Sequence, residues 1–196
     1  MPGPSIPSWQ PNLLVIPDPT NSFNRYDTYL AIDPADPLHM VGICRRFYGA
    51  GVNYQDQLEA QYSFDGGVTW GYALLPLDPG YYSISDPWVG IAPNGNVYVI
   101  ALPVTSSSGT VGSQSAAQKS LGAPAAVCCY TSMDGGQSFS PPAYITQGGW
   151  PDNTFGAVDP HTGTVYAVWN DGGGVLGFAY SLDNGGHWSP SPSVQP

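Results

Sequence analysis

The sequence reads SFDGGVTW at residues 63–70, and the pattern returns as SMDGGQSF at residues 132–139 and as SLDNGGHW at residues 181–188. Each copy of this octet has Ser first, Asp third, Gly fifth and an aromatic residue last. Asp-Gly-Gly or Asp-Asn-Gly between apolar segments supplies the positive-φ residues of a hairpin turn, and the Asp carboxylate can accept hydrogen bonds from N–H groups of that turn. The octets therefore predict three β-hairpins.

The segment upstream of each octet repeats as well. It reads DTYLAIDP from Asp27, DPWVGIAP from Asp86 and DNTFGAVDP from Asp152, so that a Pro follows the Asp after seven, seven and eight residues. Two further apolar strands follow before each octet, which is typical of a meander of short strands. Because regular self-similarity indicates a repeat fold, we expect three equivalent β-units.

The composition agrees with such a fold and excludes several partners. The 196 residues include 25 Gly and 21 Pro, and only 9% are charged, which favours short strands and tight turns over helices. A net charge of −10 repels phosphate backbones and anionic lipids, so we expect no nucleic-acid partner. No apolar run approaches the roughly 20 residues that cross a bilayer, so we expect no membrane insertion.

The three cysteines do not suggest a disulfide framework. Cys128 and Cys129 are adjacent and would point to opposite faces of one strand. No Cys or His residues stand at zinc-ligand spacing, so we predict buried free thiols and no metal site built from sulfur.

The octet resembles the Asp box, or bacterial neuraminidase repeat, of sialidase-like β-propellers, and the segment from Asp86 looks like an innermost propeller strand. The resemblance covers roughly residues 9–189. It implies an all-β fold of propeller blades, each of four antiparallel strands, with three blades per chain as half of a six-bladed ring. Residues 1–196 would form a single propeller unit with blades at approximately 25–80, 84–146 and 151–189 and an outer strand at 9–17 that completes a blade.

In that family the Asp box closes the turn between the third and outermost strands, on the face away from the ligand. The resemblance therefore implies a structural role, not a catalytic one, for the octets. The residues concerned are Ser63, Asp65, Gly67, Trp70, Ser132, Asp134, Gly136, Phe139, Ser181, Asp183, Gly185 and Trp188.

The two ends of the chain look complementary. The segment at residues 9–17 resembles the strand-forming segment directly after Trp70, whereas little strand-forming sequence stands after Trp188. If the first strand of one chain completes the third blade of another, a homodimer forms a closed six-bladed ring without free edges. The alternative is a piece of a longer propeller chain.

A propeller gathers the segments entering its innermost strands on one face, around the central axis. Exposed aromatic and charged residues on that face would suit carbohydrate, because aromatic rings stack on the apolar faces of sugars. The candidate ligand-binding residues are Arg25, Arg45, Arg46, Tyr48, Tyr81, Tyr82, Trp88 and Trp150.

Asp27, Asp86 and Asp152 are the candidate catalytic residues, since they would form a ring at the entrance to the axis. Clustered carboxylates raise one another's pKa and can divide the roles of acid and base or nucleophile. The alternative is that each Asp bonds the backbone where its strand begins. We predict no cofactor, with a cation bound by this ring as the alternative.

Sialidases of this family use three arginines, a Tyr activated by a Glu, and an Asp acid/base. This chain has Arg25, Arg45 and Arg46 and a single Glu, Glu59, and the rest of the pattern does not match. The sequence therefore favours a non-catalytic glycan-binding protein. The alternatives are a glycoside hydrolase using a pair of the axial aspartates and a structural or assembly protein. We expect an extracellular location or one on a cell or virion surface, although the first residues lack a secretory signal.

Overall fold

The computed structural model describes residues 24–48, 55–79, 81, 83–104, 126–149, 151–172 and 174–189. Within these ranges the chain is all-β, with eleven strands and no helix, as the sequence predicts. The strands are β1 (Asn24–Ile32), β2 (Met40–Tyr48), β3 (Gln55–Ser63), β4 (Gly71–Leu74), β5 (Ser83–Ile91), β6 (Val97–Val104), β7 (Ala126–Ser132), β8 (Ala143–Gln147), β9 (Asp152–Val158), β10 (Val165–Asn170) and β11 (Leu176–Ser181).

The strands form three antiparallel meanders. The first sheet has the order β1-β2-β3-β4, the second β5-β6-β7-β8 and the third β9-β10-β11. This confirms the predicted blade-like sheets, with three strands rather than four in the described part of the third. The outer strand predicted at residues 9–17 lies outside the described residues.

Two apolar cores separate the sheets. One contains Val41 and Ile43 of the first sheet with Val99 and Tyr130 of the second, and the other contains Ile100 of the second sheet with residues of the third such as Ala167 and Trp169. All eight residues of β6 are buried, whereas burial alternates along β10. The second sheet is therefore covered on both faces and the third on one.

The adjacent cysteines show the same two-sided packing. Cys128 belongs to the first core and Cys129 to the second, and both are buried free thiols, as is Cys44. The prediction that neighbouring thiols take opposite faces of one strand is confirmed.

The first strands of the three sheets lie side by side, because β5 contacts both β1 and β9. Each first strand contains the same irregularity, a bulge at which two of its residues oppose one residue of the second strand. The first bulge residue has positive φ in every sheet: 53° at Asp27, 49° at Asp86 and 50° at Asn153. The pairs in the bulges are 27–28, 86–87 and 153–154.

The octets form hydrogen-bonded turns at the opposite ends of the sheets. The Ser63 hydroxyl donates to Asp65 at 2.8 Å and accepts from the Gly67 N–H at 2.9 Å. Asp65 also accepts from the N–H and hydroxyl of Thr69, at 2.8 and 2.6 Å, and Trp70 Nε1 donates to the Gly67 carbonyl at 3.0 Å. The second and third octets repeat the Ser, Asp and Gly contacts around Ser132 and Ser181.

Each later octet also contacts the preceding sheet. His39 Nε2 lies 3.0 Å from the carbonyl oxygen of Gly135. The Tyr98 and Thr131 hydroxyls donate to the side-chain and backbone oxygens of Asn184, both at 3.0 Å. The octets thus join consecutive sheets as well as closing their own hairpins.

Candidate axial site

The bulges place polar side chains where the three first strands meet. Asp and Asn tolerate the left-handed conformation better than other non-glycine residues, because their short polar side chains bond locally. Asp86 Oδ2 accepts the Asn153 N–H at 3.2 Å, and the Thr154 hydroxyl donates to the Asp86 carbonyl oxygen. The bulges of the second and third sheets are therefore bonded to each other.

The third bulge begins one residue later than the sequence pattern predicts. The pattern aligns Asp152 with Asp27 and Asp86, but the structurally matching residue is Asn153, which stands seven residues before Pro160. Asp152 is the preceding residue, and its Oδ1 accepts the Asn153 N–H at 3.1 Å. The carboxylates of Asp86 and Asp152 therefore share one backbone donor, and they lie together although only Asp86 is on a bulge.

Asp86 has a raised pKa. Burial raises the pKa of its carboxyl group, and the nearby charges of Asp152 and Asp27 raise it further. The Asn153 N–H and the Arg45 guanidinium oppose the increase. Arg45 Nη1 lies 4.0 Å from Asp27 Oδ2. The site thus contains three carboxylates and one neighbouring arginine.

The other two candidate arginines are bound elsewhere. Arg25 contacts both oxygens of Glu59, with Nε at 2.8 Å and Nη2 at 3.2 Å. Arg46 Nε lies 3.5 Å from Oε2 of the same carboxylate, and Gln61 Nε2 donates to its Oε1 at 2.9 Å. Glu59 is 1% exposed. Because Arg45 and Arg46 are neighbours in β2, they point to opposite faces of the first sheet.

Two candidate aromatic residues pack within the protein. Tyr81 stacks on Tyr144 of β8 at 5.6 Å, which places it beside the outermost strand of the second sheet. Trp88 covers Gly90 and Gly156, so it packs between the second and third sheets. Tyr82 and Trp150 lie outside the described residues, and Tyr48 is described as the end of β2 without its side chain.

Two aromatic residues at the axis were not predicted from the sequence. Tyr29 and Phe155 come from the first and third sheets, are 38% and 47% exposed, and make an edge-to-face contact with ring centroids 6.2 Å apart. Each stands two residues after a bulge residue. A signal for them exists in the sequence, because Asp-Thr-Tyr, Asp-Pro-Trp and Asn-Thr-Phe begin at residues 27, 86 and 153.

A second concave region lies at the opposite end of the sheets. It is a groove of about 570 Å³ between the second and third octets, lined by Phe139, Asp134 and Asp183 among others. Both carboxylates are engaged by their own turns.

Neither a metal centre nor a membrane-spanning helix occurs in the part of the chain that the structure describes. No group of three or more His, Cys, Asp and Glu residues there could hold a metal ion. No helix there is long and apolar enough to cross a membrane.

Solved sialidase structures share this fold. A Hadza microbial sialidase matches with a TM-score of 0.64 and 16% identity, over 93% of this chain and 37% of that chain. The NanB sialidase from Streptococcus pneumoniae matches with a TM-score of 0.63 and 12% identity, over 96% of this chain and 47% of that chain. The Trypanosoma rangeli sialidase in complex with sialic acid matches with a TM-score of 0.53 and 19% identity, over 86% of this chain and 30% of that chain.

At these identities the likeness shows the fold alone, and it confirms the sialidase-like propeller fold predicted from the sequence. The chain spans less than half the length of each of these sialidases. No family model and no curated protein matches the chain.

Proposed function

We propose that the chain binds glycans at the axial site without hydrolysing them. The supporting observation is that Tyr29 and Phe155, an exposed ring pair, each stand two residues after a bulge residue, in the two strands that contact the strand of Asp86. Carboxylate oxygens accept hydrogen bonds from sugar hydroxyls, and aromatic rings stack on the apolar faces of pyranoses. A site with both features suits a neutral or hydroxyl-rich glycan better than an anionic one, because three carboxylates repel a negative ligand.

The arginine geometry supports binding over sialidase chemistry. The family resemblance implies three arginines directed at one ligand carboxylate. In this chain Arg25 and Arg46 are held by the buried Glu59, and Arg45 approaches Asp27 instead. The three guanidinium groups therefore do not converge on one point.

Glycan-array screening followed by titration calorimetry of the best ligand tests the proposal. We expect Tyr29→Ala and Phe155→Ala each to weaken binding about fivefold, since stacking of one ring contributes on the order of 1 kcal/mol. Phe64→Ala is the matched control, because Phe64 is 48% exposed but belongs to an octet. Absence of any bound glycan, or an equal loss in Phe64→Ala, contradicts axial glycan binding.

A second candidate is glycoside hydrolysis, which the raised pKa of Asp86 favours. A carboxyl group that keeps its proton can act as general acid, while Asp27 or Asp152 acts as base or nucleophile. Turnover of a panel of aryl glycosides would then fall as pH rises through the pKa of Asp86, and Asp86→Asn would abolish it. The control Asp36→Asn alters an exposed turn. Turnover that survives Asp86→Asn excludes this assignment.

An assembly role and a location outside the cell or on a cell or virion surface remain predictions from the sequence. Glycans at such a surface would be accessible to the axial site. Binding of the array hit to intact cells, and its loss in Phe155→Ala, would support that placement.

A further inference from the structure

The two end sheets each have a face turned away from the second sheet. We define the trailing face as Tyr166, Val168, Leu176, Phe178 and Tyr180 of the third sheet. Tyr166 pairs with Tyr180 and Val168 with Phe178, while Leu176 pairs with Asn170, and the five alternate with the residues buried against the second sheet. None of the five is charged, and Leu176 and Tyr180 are 50% and 40% exposed.

We define the leading face as Leu30, Ile32, Tyr72 and Leu74 of the first sheet. These side chains lie opposite to the face that carries Val41 and Ile43, according to the register of β1 with β2 and of β3 with β4. All four are exposed, by between 39% at Leu74 and 59% at Leu30. Apolar exposure on this scale, spread over two sheet faces, is typical of an interaction surface.

The repeat shows what such faces normally contact. By strand register, Leu176 occupies the position held by Leu58 in the first sheet and Val127 in the second, and both of these are 0% exposed because the next sheet covers them. The trailing face is therefore shaped like a surface on which another sheet packs.

The leading face corresponds to the side of the second sheet that packs against the first sheet. Ile32 pairs with Met40 as Ile91 pairs with Val97, and Ile91 is 6% exposed because the first sheet covers it. Ile32, at the same position, is 51% exposed. The leading face is thus shaped like a surface that packs on a preceding sheet.

The octets give an independent argument of the same kind. A Cβ at Gly136 would lie 3.1 Å from Val41, and one at Gly185 would lie 3.0 Å from Cys129 and Thr131, both in the preceding sheet. At Gly67 of the first octet, the three nearest atoms all belong to its own Trp70. The first octet therefore has the shape to contact a further sheet.

The trailing face supplies the matching positions. Tyr166 and Tyr180 stand in the third sheet where Tyr98 and Thr131 stand in the second, and those two residues donate to the third octet. The Tyr180 hydroxyl can donate, as that of Thr131 does, to a backbone carbonyl group of an incoming first octet, whereas Gly66, the counterpart of Asn184, has no side-chain oxygen to accept from Tyr166.

We propose that the trailing face packs on the leading face of a second copy of this chain, and reciprocally, so that two copies close a ring of six sheets. Head-to-tail contacts generate rings when the rotation closes, and six blades lie within the usual range of about four to eight, whereas nine from three copies do not. By register, the side of the first sheet that carries the leading face also carries Arg25, Arg46 and Glu59, so the contact would include this ion-paired cluster beside the apolar residues. The second copy's Asp27, Asp86 and Asp152 would then lie across the axis from the first set.

Sedimentation equilibrium at micromolar concentration tests the inference. We expect a mass of twice 20.7 kDa for the wild-type chain, and an increase of at least tenfold in the dimer dissociation constant for Leu176→Lys and, separately, for Ile32→Lys. The control Leu182→Lys makes the same change at a residue that is 77% exposed in an octet, outside both faces, and should remain dimeric.

Circular dichroism identifies any variant that does not fold. Because the two variants alter different sheets, one folded variant is enough to test the proposal. A monomeric wild-type chain overturns the proposal. A larger oligomer, or a dimer that persists in a folded Leu176→Lys or Ile32→Lys variant, overturns it as well. None of these readouts depends on glycan binding, so the proposal can fail or succeed separately from the proposed function.

Discussion

At the scale of single residues, the ionised carboxylate of Asp86 lowers the stability of the folded protein. Burial and the neighbouring Asp152 and Asp27 raise the pKa of its carboxyl group above the ordinary value of 3.8. The folded protein therefore binds this proton more tightly than the unfolded chain, and stability falls as pH rises from 3.8 through the raised pKa. The charged form is destabilising at every pH above that window.

Asp86→Asn should accordingly raise the free energy of unfolding at neutral pH. The amide keeps an oxygen that can accept the Asn153 N–H but removes the buried charge. Urea unfolding at a series of pH values should show an advantage at neutral pH that disappears as pH falls below 3.8. A variant less stable than the wild type at neutral pH would show that the carboxylate stabilises its neighbours instead.

Asp65 illustrates the opposite case in the first octet. The hydroxyl and N–H of Thr69 lower the pKa of its carboxyl group to about 2, so the carboxylate stabilises the fold above the ordinary value of 3.8, and this stability is lost as pH falls from 3.8 to about 2. Asp65→Asn should lower the melting temperature at neutral pH, with the difference from wild type closing within that window. Thr69→Val removes the hydroxyl donor, so the pKa of Asp65 should be lowered less and the pH range over which stability is lost should become narrower. An unchanged dependence of stability on pH in Thr69→Val would contradict the assignment of the lowered pKa to Thr69.

At the scale of strands, glycines allow the large rings to lie between sheets. A Cβ at Gly156 of β9 would lie 2.5 Å from Trp88 of β5. Gly156→Ala should therefore cost about 1–3 kcal/mol of unfolding free energy through overpacking. In a Trp88→Phe background the smaller ring leaves room, so the cost of the same substitution should drop. Chemical denaturation of the two single variants and the double variant measures this coupling, and strictly additive costs would refute the contact.

The order of the strands could be predicted from sequence because Asp, Gly and Pro mark the turns at fixed positions. The bulges could not, since apolar alternation does not reveal a register shift. Alignment of the third unit by its first Asp, rather than by its distance to Pro160, selects Asp152 where the structure places Asn153. The sequence also located Trp88 near the start of a strand, but the bulge at residues 86–87 changes which face the following residues occupy, and its ring packs between the second and third sheets. Tyr81 precedes that bulge, and its ring stacks on Tyr144 of β8.

At the scale of the whole molecule, the sequence does not reveal which sheet faces contact one another. Leu30, Ile32 and Leu176 occur in segments that resemble ordinary core strands, because their counterparts in the second sheet are core residues. Their exposure becomes evident only when the sheets are placed in order. The sequence pattern therefore specifies the repeating unit more completely than it specifies what lies at the two ends of the stack.

This difference between middle and end sheets should be visible in hydrogen exchange. The second sheet is covered on both faces, and every residue of β6 is buried, so its amides should exchange only through global unfolding. The amides of β10 and β11, covered on one face, should open at lower free energies. In Leu176→Lys, whose trailing face is disrupted, hydrogen exchange followed by mass spectrometry should be measurably faster in β10 than in β6.

In the wild type, the exchange rates of β10 and β11 should fall as protein concentration rises, because a second copy covers that face. Equal rates in β6 and β10 of the Leu176→Lys variant would contradict the description of the third sheet as an end sheet.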